Sequence, residues 1–219
     1  MKIDNKTVTI YGKENNGSPL IILNTFNGNG SSVYKQLCNI VDKPFTLAVI
    51  GDIKWDLEMT PWEAPPAFKG ETSYLGGADT YIEKLEKIFI PKILNELSIK
   101  PEYLAIAGYS LGGLFAIYSM YKTGMFSRAA SASGSMWFPG FADFIENNEP
   151  VRMPDRLYFS LGDKESKTKN EFLKSVDENT IRIVEYFRRM GIETAYESNP
   201  GNHFKDADLR MAKAIAGIL

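Results

Sequence analysis

Short, unbroken apolar runs recur along this chain and alternate with segments of helical spacing. Leu20-Ile21-Ile22-Leu23 and residues 45–50 lack the polar alternation of a strand with one wet face, which predicts strands buried on both faces of a parallel sheet. Residues 104–107, 129–133, 157–161 and 193–197 read as further strands. Lys6–Tyr11 is β-branched and alternating, and reads as an antiparallel edge strand before the turn residues Asn15, Asn16, Gly17, Ser18 and Pro19. Ser31 or Ser32 can cap a short helix through Cys38. Tyr81, Ile82, Leu85, Ile88, Phe89, Ile93, Leu94 and Leu97 recur at helical spacing, which predicts a helix over 79–97 with Asp79 as cap and Pro91 as a kink. A second helix should follow Ser110 and stop near Gly124, a long one should stop at Gly191, and a last one should run over 209–219. Strands alternating with helices give an α/β fold, with a mainly parallel sheet covered on both faces in a single domain spanning 1–219.

One stretch breaks this rhythm. Residues 51–77 carry no helical or strand period, and a loop of that length is commonly functional. Trp55, Trp62, Phe68 and Tyr74, with Pro61, Pro65 and Pro66, predict that it packs down as a wall.

Composition narrows the class without choosing a chemistry. The chain has 219 residues, of which 44% are hydrophobic and 24% charged, values of an ordinary globular domain rather than a disordered or coiled-coil one. A net charge of −2 gives no general attraction to nucleic acid or anionic membrane. The single cysteine, Cys38, cannot close an internal disulfide, and the first residues lack the apolar run of a secretion signal, so a cytoplasmic location is expected. No apolar stretch is long enough to span a membrane.

The chemistry gathers around Ser110. Gly108-Tyr109-Ser110-Leu111-Gly112 fits G-x-S-x-G and stands between an apolar strand and an apolar helix, the context in which a sharp turn holds a serine out from the sheet edge. Small residues at 108, 112 and 113 are a steric requirement of that turn. A serine hydroxyl needs a base to become a nucleophile, and the chain offers one histidine, His203, in the loop after the last predicted strand. The carboxylate that would orient the imidazole should follow a strand between the two, in Gly162-Asp163-Lys164-Glu165. Glu165 has the reach to turn along the sheet edge, and Asp163 is the alternative. An oxyanion hole needs two N–H donors. Leu111 at the helix start is one, and Thr25 or Phe26 after the Leu20–Leu23 strand supplies the other, with Phe26 the better placed. The loop Asn27-Gly28-Asn29-Gly30 lacks the Lys-Ser/Thr of a phosphate-binding loop.

Residues 106–116, Ser133-Gly134-Ser135-Met136-Trp137, Gly162-Asp163-Lys164-Glu165 and Pro200-Gly201-Asn202-His203-Phe204 together resemble the esterases related to enterochelin esterase, within the α/β-hydrolase superfamily. The resemblance implies an α/β-hydrolase fold without a separate lid domain, and Ser110, Glu165 and His203 as the catalytic serine, acid and histidine. It differs at Thr25-Phe26, where the family carries Asp-Gly. The implied activity is a serine carboxylesterase working through an acyl-enzyme, with no cofactor or metal and a small-molecule ester as partner. An acyltransferase, a siderophore-type esterase and a non-catalytic binding module are the alternatives on the same fold. Trp55, Trp62 and Trp137 are candidate substrate-binding residues. Five acids against two lysines in 51–77, Glu71 and Lys69 among them, predict an acidic cleft wall that favours neutral aryl, acyl or acylated-sugar esters over anionic ones.

Overall fold

The computed structural model describes residues 1–15, 17–26, 28–68, 70, 72–97 and 100–219. Asn16 of the predicted turn, Asn27 of the glycine-rich loop, and Lys69 and Glu71 of the long loop lie outside them. In chain order the elements are β1 (Lys2–Ile3), β2 (Lys6–Tyr11), β3 (Leu20–Asn24), α1 (Ser31–Cys38), β4 (Thr46–Ile50), α2 (Trp55–Glu58), β5 (Glu63–Ala64), β6 (Tyr74–Leu75) and α3 (Ala78–Lys84). A π-helical turn (Leu85–Phe89) leads into α4 (Ile90–Leu97), followed by β7 (Leu104–Tyr109), α5 (Leu111–Ser119), β8 (Arg128–Ala132), α6 (Phe141–Asn147) and β9 (Arg156–Gly162). The chain closes with α7 (Glu171–Lys174), α8 (Val176–Arg189), β10 (Glu193–Asn199) and α9 (Ala207–Ile218).

Eight strands form one sheet in the order β1-β2-β4-β3-β7-β8-β9-β10. The six from β4 to β10 are parallel, and β1 and β2 pair antiparallel at one end. The inner parallel strands β3, β4, β7, β8 and β9 are buried on both faces because each face meets a helical layer, whereas β10 at the edge is polar and partly exposed. Ile21, Leu23, Leu47, Val49, Ala105 and Ala130 share a core cluster with Met211 and Ile215 of α9. Leu20, Ile22, Ala48, Ile50 and Ile106 face the opposite cluster, which includes Leu114 and Phe115 of α5 and Tyr81 of α3. From β3 the chain winds outward to β4, then returns to place β7 on the other side of β3. Loops leaving β3 and β7 therefore diverge at a topological switch point, where such sheets open a crevice at their carboxyl ends.

Several expectations are corrected in detail. The strand Lys6–Tyr11 is antiparallel but not at the edge, since β1 pairs outside it. Neither serine caps α1, because Gly30 in the left-handed region occupies that place and Ser31 is already helical. Asp79 lies in the first turn of α3, where its carboxylate accepts from Tyr118 and Lys122 instead of capping. Pro91 lacks an N–H for the helical ladder, and the turn before it widens, with the Ile90 N–H reaching back to the Leu85 carbonyl. The 51–77 stretch is not without structure, as it holds α2 and the β5–β6 hairpin.

The elbow leaves no room for a side chain at its first glycine. A Cβ at Gly108 would stand 2.1 Å from the Gly112 carbonyl oxygen. Gly108→Ala is accordingly expected to lose at least ~1–3 kcal/mol of stability, by overpacking against backbone that cannot rotate away. A fall in the urea midpoint measures this, and an unchanged midpoint would show that the strand and helix do not cross as closely as described.

Candidate active site

Ser110 sits between β7 and α5 with φ 57° and ψ −124°, a backbone conformation that costs a non-glycine residue energy. Its surroundings hold it there. The Ser110 N–H donates to the Ala132 carbonyl at 3.1 Å, and its own carbonyl accepts from the N–H groups of Gly113, Leu114 and Ser135. A Cβ at Gly113 would lie 2.6 Å from Ser131 Oγ, so the helix can approach β8 only without a side chain there. This geometry lifts the serine hydroxyl out of the sheet edge.

His203 and Glu165 come from the loops after β10 and β9, the two strands farthest from β4. His203 Nε2 is 3.1 Å from Ser110 Oγ, and Nδ1 is 2.7 Å from Glu165 Oε2. The Tyr109 hydroxyl donates to the His203 carbonyl at 2.6 Å and anchors the loop. Burial pushes the Glu165 carboxyl's pKa up, but hydrogen bonds from the His203 ring, the Gly162 N–H and Ser133 outweigh it, and the net shift is downward. Asp163 is turned elsewhere. Its carboxylate accepts from the Gly201 N–H at 2.7 Å, a bond that holds its pKa below the ordinary value and staples the loop carrying His203. The arrangement can pass a proton from a serine hydroxyl to an imidazole whose tautomer is fixed by a carboxylate.

Ser110 and His203 line a cleft of about 820 Å³ at the switch point between β3 and β7, with Glu165 buried behind the imidazole. Leu111 opens α5, with its N–H at the free amino end of the helix. Of the two candidates after β3, Thr25 has its N–H committed to the Ile50 carbonyl at 3.0 Å, which leaves Phe26. The Phe26 ring lines the cleft and meets Trp55 edge-on, with centroids 5.7 Å apart.

Of the three tryptophans expected on the cleft wall, only Trp55 lines the cleft. Trp62 is turned into the core, where its Nε1 donates to the Pro139 carbonyl at 3.0 Å among Tyr118, Phe138, Phe141 and Phe144. Trp137 is buried against Tyr74 and Phe138 and is likewise absent from the described lining. The acidic wall is also corrected. Asp52 accepts from Thr7, Glu58 pairs with Lys6 at 2.6 Å, and none of the described acids of 51–77 lines the cleft. Asp52 and Glu58 fasten the segment to β2 instead of facing a substrate.

Two participants escape a reading of the sequence. Ser135 places its Oγ 3.4 Å from Ser110 Oγ. Arg210, on α9, donates to Glu165 Oε1 at 3.2 Å from a position only 2% exposed. A signal for Arg210 exists, since it shares the spacing of Met211, Ala214 and Ile218 and so puts a charge on the apolar face of the closing helix.

Residues 43–209 match the family described as "Putative esterase". The chain belongs to that family. It is a carboxylic ester hydrolase of α/β-hydrolase fold. Among curated proteins it is 24% identical over 193 residues to the uncharacterized protein YbbA of Bacillus subtilis (strain 168), covering 83% of this chain and 75% of that one. Its fold is similar to an IroE-like serine hydrolase from Shewanella oneidensis, with a TM-score of 0.75, 13% identity, and 96% and 73% of the two chains covered. It is also similar to the siderophore hydrolase EstB from Aspergillus nidulans, with a TM-score of 0.72, 15% identity, and 96% and 88% covered. Among the described residues no helix of this esterase is long and apolar enough to cross a membrane.

Proposed function

We propose that this esterase cleaves its substrate with Ser110 as nucleophile, His203 as general base and Glu165 as the acid that orients the imidazole. The continuous path from Ser110 Oγ through both ring nitrogens to Glu165, at 3.1 and 2.7 Å, carries this reading. Ser110 Oγ attacks the acyl carbon while its proton passes to His203 Nε2. Charge collects on the former carbonyl oxygen, where the N–H groups of Leu111 and Phe26 stabilise it. The tetrahedral intermediate collapses as the imidazolium protonates the leaving alcohol oxygen, leaving an acyl-Ser110. Water, deprotonated by His203, then releases the carboxylic acid and restores the serine.

The substrate we infer is a neutral aryl, acyl or acylated-sugar ester. Phe26, Trp55 and Phe204 offer flat apolar faces, and among the described residues no lysine or arginine lines the cleft while Asp208 does. A polyanionic ester would lose hydration there without gaining a cation. The free, exposed Cys38 is compatible with a reducing cytoplasm. A panel of matched 4-nitrophenyl esters differing only in acyl charge tests the substrate reading. Neutral acyl groups are expected to give the higher kcat/KM at low ionic strength, and a preference for the anionic acyl group there would reject it.

A further inference from the structure

Arg210 occupies a position that an aliphatic residue would be expected to fill. Its neighbours along the inner face of α9, Met211, Ala214 and Ile218, belong to the core, and its side chain is 2% exposed. A buried guanidinium must satisfy its donors, and this one does so on three different loops. Nη1 donates to Ser133 Oγ after β8 and to Glu165 Oε1 after β9, each at 3.2 Å, and Nη2 donates to the Pro200 carbonyl after β10 at 3.0 Å. The space is kept open by Gly162, where a Cβ would fall 2.9 and 3.0 Å from the two terminal nitrogens.

Glu165 is thereby divided between two partners. Oε2 faces His203 Nδ1, while Oε1 accepts from Arg210 and from the Gly162 N–H. A lone buried carboxylate favours the charged form of an imidazole beside it. A guanidinium on the opposite oxygen offsets part of that attraction.

We propose that Arg210 is a positioning residue that acts through Glu165 to set the pH at which His203 becomes a free base. The inference rests on the Ser110, His203 and Glu165 reading given above. The other ionisable groups around the pair are Tyr109 from β7, Asp163 and Lys164 from the loop after β9, Tyr196 from β10, Lys205 beside His203, and Asp208 at the start of α9. Lys164 and Lys205 are exposed, and among the described residues the one buried cation touching Glu165 is Arg210.

The test compares Arg210→Met and Arg210→Gln, which remove the charge, with Arg210→Lys, which retains it. Two readouts are followed in each folded variant: the acid limb of kcat/KM on 4-nitrophenyl butyrate, and the NMR titration of the imidazole, which is unambiguous because the chain has one histidine. Both neutral variants should move the limb and the titration to higher pH together, by about one unit. Arg210→Lys should stay near the wild-type midpoint even if its plateau falls, since an ammonium keeps the charge but loses the fork. A neutral variant that is folded and keeps the wild-type midpoint overturns the proposal, because a bracing role alone would lower the plateau without moving the limb. If neither neutral variant folds, the titration of Glu165→Gln decides. It is compared with Glu165→Gln/Arg210→Met, in which both buried charges are gone and neither is left unpaired: the cation should hold the midpoint of Glu165→Gln about one unit below that of the double variant, and equal midpoints overturn the proposal. Fluorophosphonate labelling of the wild type runs alongside. Label on Ser110 with unmoved midpoints rejects this inference alone, while no label on Ser110 rejects the catalytic reading beneath it.

Discussion

Ser110→Ala is expected to lower kcat on a good ester by on the order of 10⁶-fold while leaving the fold intact, the loss seen when the serine of a comparable hydrolase is removed. The size follows from the mechanism. Without Oγ no acyl-enzyme forms, His203 has no hydroxyl to deprotonate, and only binding and the N–H groups of Leu111 and Phe26 are left to act on a direct attack by water. Stability should change little, because Ser110 is held by its backbone bonds to Ala132, Gly113, Leu114 and Ser135, none of which uses the side chain. Alanine also meets the positive φ that serine already tolerates. Circular dichroism and thermal melting check the fold, and initial rates check the chemistry. A folded variant with turnover within tenfold of wild type would place the nucleophile elsewhere.

Glu165→Gln should cost on the order of 10⁴-fold in kcat, the scale reported when a triad acid becomes its amide. An amide facing His203 Nδ1 can present its NH₂ group, which favours the wrong tautomer, and it no longer stabilises the imidazolium formed during attack. Asp163→Asn should change kcat far less. Its carboxylate lies on the Gly201 N–H and touches no reacting group, so its loss loosens the loop carrying His203 without altering the ring's proton. Measuring both variants on the same ester separates the two acids. The reverse ranking would hand the role to Asp163, and two mild effects would mean that Ser110 and His203 act as a pair.

Much of this arrangement was legible from local pattern. Unbroken apolar runs marked the inner strands because a parallel sheet with helices on both faces leaves no wet side. Ser110 stood out because the elbow demands glycine at fixed offsets, and a Cβ at 108 or 113 collides with backbone or side chain as that demand requires. Reach and the family resemblance both favour Glu165 over Asp163, and the chain turns at Gly162 so that Glu165 meets the imidazole while Asp163 faces the next loop. What was not legible depends on side-chain direction within irregular chain. Trp55 and Trp62 lie in the same aperiodic stretch with similar neighbours, yet one lines the cleft and the other finds the Pro139 carbonyl in the core. Asp52 and Glu58 of that stretch carry the right charge for a wall and are spent on Thr7 and Lys6 of β2, which no spacing announces. The hairpin of β5 and β6 has two residues per strand, too few for an alternating pattern to register. Arg210 could have been noticed as a charge on an apolar stripe, but its partners sit on three loops far away in the chain.

The most direct test of the account is mass spectrometry of the intact protein and its peptides after reaction with a fluorophosphonate, a reagent that phosphonylates only a serine whose hydroxyl is activated by a neighbouring base. The account predicts one phosphonyl group per chain, on Ser110, with labelling lost in Ser110→Ala and strongly slowed in His203→Gln. A folded protein that hydrolyses its ester while Ser110 stays unmodified, or that carries the label on another residue, would contradict it.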